Sequence, residues 1–176
     1  AQRLPEVQLT QRGIYALLTN IQAYNDIYRR AGAVHGCGLC HQGSIVKFVE
    51  DVGRHNAADA IAGFMWLEAL DGGDKLFYTT GRLTSEIVMK SALMGIPVLL
   101  SRSGVTQMGL ELAQQLGIVM IARAKGTHFL VYNGAAHLRA RHLAAENELL
   151  TAELETFRSR VSGLETALAH LGEQDS

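Results

Sequence analysis

Apolar positions in the first part of this chain recur at helical spacing and then switch to strand-like runs. Thr10 can cap a helix reaching about Arg30, because Ile14, Leu17, Leu18, Ile21, Tyr24, Ile27 and Tyr28 share one helical face. Val34 to Cys40 reads as extended, His41-Gln42-Gly43 as a turn and Ser44 to Val49 as a second strand, together a hairpin. A helix follows from about Asn56 to Leu70, stopped by Asp71-Gly72-Gly73. Lys75 to Thr79 is a strand, Thr84 or Ser85 opens a helix ending near Met94, and Gly95 lies beyond as its stop. Pro97 to Ser101 is a strand, and Thr106 to Leu116 a helix closed by Gly117. Ile118 to Ala122 and Phe129 to Tyr132 are the last strands.

This alternation predicts right-handed β-α-β units and an α/β fold, a mixed sheet with helices on both sides. In such sheets the carboxyl ends of the strands form the ligand crevice. Here every loop that follows a strand is polar, and these loops carry Arg54, Arg82, Arg102, Arg123 and Lys125. Cations gathered at one rim predict a phosphate-rich ligand. The alternative is a set of unrelated surface cations. The stretch Glu50 to Asp59 is densely polar where a strand gives way to a helix, a place suited to an anion.

The 176 residues fit one domain with an appendage, and 48% apolar content is enough for a core. A formal charge of −1 argues against non-specific nucleic-acid binding. No window is apolar and long enough for a membrane span, and no signal peptide is visible. Two cysteines three apart make no disulfide framework for a secreted domain, so a cytoplasmic protein is expected. The chain begins with Ala, which suits a fragment or a processed product.

The expected division is a core over residues 1–138 and an amphipathic helix over 139–176. In the second part Leu143, Leu150, Phe157, Leu164 and Leu171 form one register, and Asn147, Leu154, Val161 and Leu168 another. Read as d and a positions, they make a coiled-coil seam, with Asn147 favouring two parallel strands. Glu153 can then face Arg158 of a partner, and Arg160 can face Glu165. A homodimer is expected. The alternative is a helix packed on its own domain.

Glu50 to Ala57 (EDVGRHNA), Thr79 to Val88 (TTGRLTSEIV), Gly95 to Leu99 (GIPVL) and Ser101 to Thr106 (SRSGVT) resemble segments of the formate dehydrogenase accessory sulfurtransferases, the FdhD family. Gly32-Ala33-Val34-His35 is similar to that family's Thr-Gly-Gly-Val-His. The resemblance covers about Pro5 to Tyr132. It implies a cytidine-deaminase-like three-layer sandwich. It also implies sulfur transfer from a cysteine desulfurase to molybdenum bis(molybdopterin guanine dinucleotide), the cofactor of formate dehydrogenase, with GDP as a mimic. The family's cofactor-binding loop maps onto Arg123, Ala124, Lys125, Gly126, Thr127 and His128. Its sulfur-carrying Cys-Gly-x-Cys-Gly loop lies upstream of the helix beginning near Thr10, so this chain starts after it. A fragment or a partial paralogue is expected.

Cys37 and Cys40 are the only cysteines. On a strand they point to opposite faces, which suits small buried hydrophobes. If one carries sulfur, Cys40 is the better candidate, because turns are exposed. Zinc deaminases need a Glu two residues after the His at one helix start and Pro-Cys-x-x-Cys at another. His55-Asn56-Ala57 lacks the Glu and Gly81 to Ser85 lacks the Cys, so no zinc is expected. His35, Cys37, Cys40 and His41 would make a poor metal cage from one hairpin. At a helix N-terminus a neutral His55 can hydrogen-bond a pterin or thiolate, or serve a loop carbonyl. Glu50 and Asp51 are expected to orient Arg54, and Glu86 to complement a helix dipole. The functional alternatives are a sulfurtransferase core, a cofactor-binding adaptor without sulfur chemistry, and a generic nucleotide-binding domain.

Overall fold

A computed structural model describes residues 4, 5 and 7–139; the heptad tail and its expected pairing lie outside the described residues. Thr10 opens helix α1 (Gln11–Ile21), its hydroxyl accepting from the Gly13 N–H at 3.1 Å. Ile14, Leu17, Leu18 and Ile21 are buried as the repeat predicts. The repeat runs on to Tyr28, but the helix does not. It tightens into a 3-10 turn at Gln22–Tyr24, breaks at Asn25 and resumes as α2 (Asp26–Ala31). Asn25 has a non-helical backbone, and its side-chain amide donates to the Ile21 carbonyl at 3.1 Å, a local bond that replaces the helical ladder. Tyr24, Ile27 and Tyr28, expected on the same helical face as the buried residues of α1, are 46%, 48% and 39% exposed.

Strand β1 (Leu9–Thr10) pairs in parallel with a short strand at Leu138–Arg139. The main sheet starts with β2 (His35–His41) and β3 (Ser44–Asp51). Gln42 and Gly43 join them, both at positive φ, as a two-residue hairpin requires. Strands β4 (Leu76–Thr79), β5 (Val98–Ser101), β6 (Val119–Lys125) and β7 (His128–Asn133) complete the order β3-β2-β4-β5-β6-β7. The sheet is mixed: β4, β5 and β6 run parallel, and β2 and β7 run against their neighbours.

Helices α3 (Arg54–Leu67), α4 (Ser85–Leu93) and α5 (Gln107–Leu116) connect β3, β4, β5 and β6 in turn. These strands step across the sheet in one direction, so right-handed crossovers put all three helices on one face. Leu39, Phe77, Leu99 and Met120 pack there with Ile61, Ile87 and Ala113. The alternate residues Tyr78, Leu100 and Ile121 face α1 with Ile14, Leu18 and Ile21. The result is a three-layer α/β sandwich. No helix among the described residues is long and apolar enough to cross a membrane.

The segment 123–128, expected as a loop, is mostly strand. β6 continues to Lys125, β7 resumes at His128, and Gly126 and Thr127 make the turn. The pairing slips between Ala122 and Lys125, with Arg123 at φ 55°. This bulge reverses the side-chain alternation. Ala122 faces the α3–α5 layer, and Ala124 faces the α1 layer instead of returning to the same side.

Candidate functional site

The carboxyl ends of β3, β4, β5 and β6 lie at one end of the sheet, and buried hydroxyls turn the chain there. Thr79 Oγ1 accepts from the Gly81 N–H at 3.1 Å. Ser101 Oγ donates to the Gly81 carbonyl at 2.6 Å and accepts from the Ser103 N–H at 2.9 Å. Thr80 Oγ1 accepts from the Gly36 N–H at 2.9 Å. The loop after β5 is tied to β6 by the Arg123 N–H, which donates to the Ser103 carbonyl at 2.8 Å. That bond holds Arg123 in its left-handed conformation. The Arg123 guanidinium lies along Gly104, where a Cβ would stand 3.4 Å from it.

A cleft opens on the α1 side of this rim, in two chambers. One, about 380 Å³, has a floor of Leu18, Ile21, Tyr78 and Ala124 and an edge that includes Asn25, Lys125 and Gly126. The other, about 570 Å³, is lined by Gly32–His35, Thr80, Ser103 and Arg123. Tyr28 and Arg102 line both, the Arg102 guanidinium lying 5.8 Å from the Tyr28 ring centroid. Such volumes suit a nucleotide-sized ligand. Arg102, Arg123 and Lys125 are all exposed within it. Three of the residues named from sequence as one loop therefore reach the smaller chamber or its edge (Ala124, Lys125, Gly126), and Arg123 reaches the larger. Thr127 and His128 line neither.

Arg54, His55 and Arg82 do not join this cleft, which corrects the expectation of a single cationic wall. Helix α3 starts at Arg54, two residues earlier than the sequence pattern places it. Residues that enter α3 and α4 turn with those helices to the opposite face of the sheet. There the His55 Nδ1 is 3.2 Å from Glu86 Oε1, without hydrogen-bond geometry. Lys90 pairs with Asp59 at 2.6 Å and reaches Glu86 at 3.5 Å. Arg54 packs its side chain over Gly81, where a Cβ would stand 2.9 Å from Cδ, and its Nε is buried without a partner. Arg82 is exposed and lines neither chamber.

The two acidic residues before α3 also have other work. Glu50 does not orient Arg54. Its carboxylate accepts from the N–H groups of Ile27 and Tyr28, both at 2.9 Å, and so caps α2 from across the hairpin. Asp51 accepts from the Gly53 N–H at 2.7 Å and from the Asn56 amide at 3.2 Å.

Cys37 and Cys40 do face opposite sides of β2, in the α3–α5 core and the α1 core respectively. Both are buried, as expected of small hydrophobes on a strand: Cys37 is fully buried and Cys40 is 1% exposed, so the exposure that would favour Cys40 as a sulfur carrier is not there. The turn projects at Gln42 and Gly43, one residue beyond the strand end. Burial pushes the Cys37 thiol up to about 11, a rise its hydrogen bond to Thr79 Oγ1 only tempers. Burial pushes the Cys40 thiol up to about 12. Cys40 lines a separate cavity of about 280 Å³ at the opposite end of the sheet, beside His41, Leu76 and Val98. Among the described residues, no three His, Cys, Asp or Glu side chains are grouped to hold a metal ion.

Sequence reasoning missed Tyr28, Asn25, Thr79 and Ser101. The last two had a signal, a hydroxyl residue ending an otherwise apolar strand. Tyr28 and Asn25 had none, because the apolar repeat reads through them.

A model of the FdhD/NarQ family matches residues 1–139. The chain is 34% identical over 128 residues to the sulfur carrier protein FdhD of Listeria monocytogenes, covering 73% of this chain and 49% of that protein. It is 31% identical over 126 residues to the sulfur carrier protein FdhD of Bacillus licheniformis, with 72% and 48% covered. It spans about half the length of these curated relatives. A crystal structure assigned to a formate dehydrogenase accessory protein of Desulfotalea psychrophila superposes with a TM-score of 0.73 at 33% identity. That match covers 78% of this chain and 62% of that one.

Proposed function

Because this chain belongs to the FdhD/NarQ family, we propose that its strand-end cleft holds a phosphate-rich nucleotide cofactor while formate dehydrogenase is matured. The cofactor is molybdenum bis(molybdopterin guanine dinucleotide), handled as cargo. The observation that carries this reading is the convergence of Arg102, Arg123 and Lys125 on two adjoining chambers of nucleotide size. Guanidinium groups match phosphate oxygens in pairs, and an ammonium adds an unshaped charge. The bulge at Arg123 serves the site directly, since it brings Ala124 to the cleft face. In this reading the protein works in the cytoplasm, a cysteine desulfurase supplies sulfur, and formate dehydrogenase is the client. Two copies pair through the heptads of residues 143–171, which is supported by the sequence pattern alone.

Between sulfur carriage and cofactor holding, the buried cysteines favour holding. A nucleophilic thiolate needs exposure and a positive environment, and Cys37 and Cys40 have neither. The test of the site is titration of GDP into wild-type protein and into Arg123→Ala/Lys125→Ala. Losing two phosphate contacts is expected to weaken binding by about tenfold or more. Unchanged affinity would remove this cleft from the function. The test of the role is mass spectrometry after incubation with a desulfurase and cysteine. Unmodified Cys37 and Cys40 are expected, and persulfide on either one restores the sulfurtransferase reading for this segment.

A further inference from the structure

Building on the proposed nucleotide site, we infer that Tyr28 is the stacking platform for the planar ring of the ligand, and that Glu50 is the positioning residue that holds it there. Tyr28 is the one aromatic side chain shared by the two chambers, and the residue is 39% exposed. The chambers differ in kind. The one floored by Leu18, Ile21, Tyr78 and Ala124 offers an apolar bed for a ring. The one lined by Thr80, Ser103, Arg102 and Arg123 offers donors and charge for phosphates. A nucleotide laid across them crosses at Tyr28. The Arg102 guanidinium already occupies a stacking position at 5.8 Å from the Tyr28 centroid. A base can take that place and leave Arg102 to the phosphates.

Tyr28 sits on a six-residue helix with little stability of its own. Both ends are fastened. Gly32, at φ 70°, closes the carboxyl end with its N–H donated to the Tyr28 carbonyl at 2.8 Å. At the amino end the Glu50 carboxylate takes the N–H groups of Ile27 and Tyr28. Glu50 is on β3, so the ring's position depends on a residue that never reaches the ligand.

The experiment uses the full 176-residue chain and two probes, GDP and inorganic pyrophosphate, in calorimetric titrations. Tyr28→Leu is expected to weaken GDP by about tenfold or more, the usual loss for a base–aromatic stack, and to leave pyrophosphate unchanged. Tyr28→Phe keeps GDP binding. Glu50→Ala matches Tyr28→Leu, Glu50→Gln recovers part of the affinity through its one remaining acceptor, and the double variant Tyr28→Leu/Glu50→Ala is no weaker than Tyr28→Leu. Wild-type affinity for GDP in Tyr28→Leu, or a parallel loss of pyrophosphate, overturns the inference. If Arg123→Ala/Lys125→Ala still weakens GDP in that case, the nucleotide site stands and only the stacking role falls. No GDP binding by wild type overturns both.

Discussion

Thiol reactivity gives the sharpest test of the burial that separates Cys37 and Cys40 from sulfur chemistry. The perturbation is alkylation by iodoacetamide at pH 7.5, applied to wild type, Cys37→Ser and Cys40→Ser. Only the thiolate reacts. A thiol at its ordinary value of 9.0 is about 3% ionised at that pH. At about 11, Cys37 is ionised roughly 100-fold less, and at about 12, Cys40 roughly 1000-fold less. Access lowers the rates further, since Cys37 is 0% and Cys40 1% exposed. Native alkylation should therefore be at least about 100-fold slower than in urea. It should rise about tenfold per pH unit between pH 7 and 9, because both groups titrate above that window. Intact-mass spectrometry over time, with peptide mapping to separate the two sites, reads the result. Alkylation of either cysteine in native protein at the urea rate would refute the reasoning.

The same burial sets an alkaline limit on stability. Cys37, Cys40 and Tyr78 are pushed up to about 11, 12 and 12 in the folded state, so folded protein holds these protons more tightly than unfolded chain. Their contribution is full below pH 9 and is lost as pH rises through the folded values, by up to about 1.4 kcal/mol per pH unit for each group. Urea melts at pH 8 to 11 should show the fall, and Cys40→Ala should flatten it; a level profile in wild type would contradict the burial. Ser101→Ala leaves the Gly81 carbonyl and the Ser103 N–H without their hydroxyl partner, at a cost of about 1–3 kcal/mol. Thermal melting should fall by roughly 2–12 °C, with weaker GDP binding because Arg102 follows directly. Arg123→Gly should separate stability from function. It relieves a side chain held at φ 55°, worth about 1 kcal/mol and partly offset by chain entropy. Tm should hold or rise while GDP binding falls, and a Tm loss of several degrees would refute the strain.

Much of the fold was legible because alternation is a local signal. Phe77 and Tyr78, Leu99 and Leu100, and Met120 and Ile121 each divide between two cores, as period-two patterning demands. The strand-end position of Arg102, Arg123 and Lys125 followed from the same reading. What failed depended on distant residues. The apolar repeat through Tyr28 cannot show that Asn25 breaks the helix, or that Glu50 caps the next one from another strand. Nor can it show that Arg54 and His55 leave the cleft. That depends on strand order, which sends α3 to one face while the cleft forms on the other. The bulge at Arg123 was equally hidden, since an Arg at positive φ has no sequence mark.

The sheet itself explains why neither cysteine serves this cleft. A useful thiol must meet two conditions, the right end of the strand and the right face. Cys37 meets the first, since it pairs with Thr79 at the rim, but it points into the layer of α3 to α5. Cys40 meets the second, since it faces α1, but it pairs with Leu76 at the far end of β4, roughly 10 Å below the rim at the usual rise per residue. Period-two alternation makes this unavoidable for positions three apart on one strand. No rotamer change can cure it, because the face is set by the backbone and the distance by the register. Under the proposed function, sulfur for a ligand held between Tyr28, Arg102 and Arg123 enters from the open side of the cleft, on a donor that these two side chains do not provide.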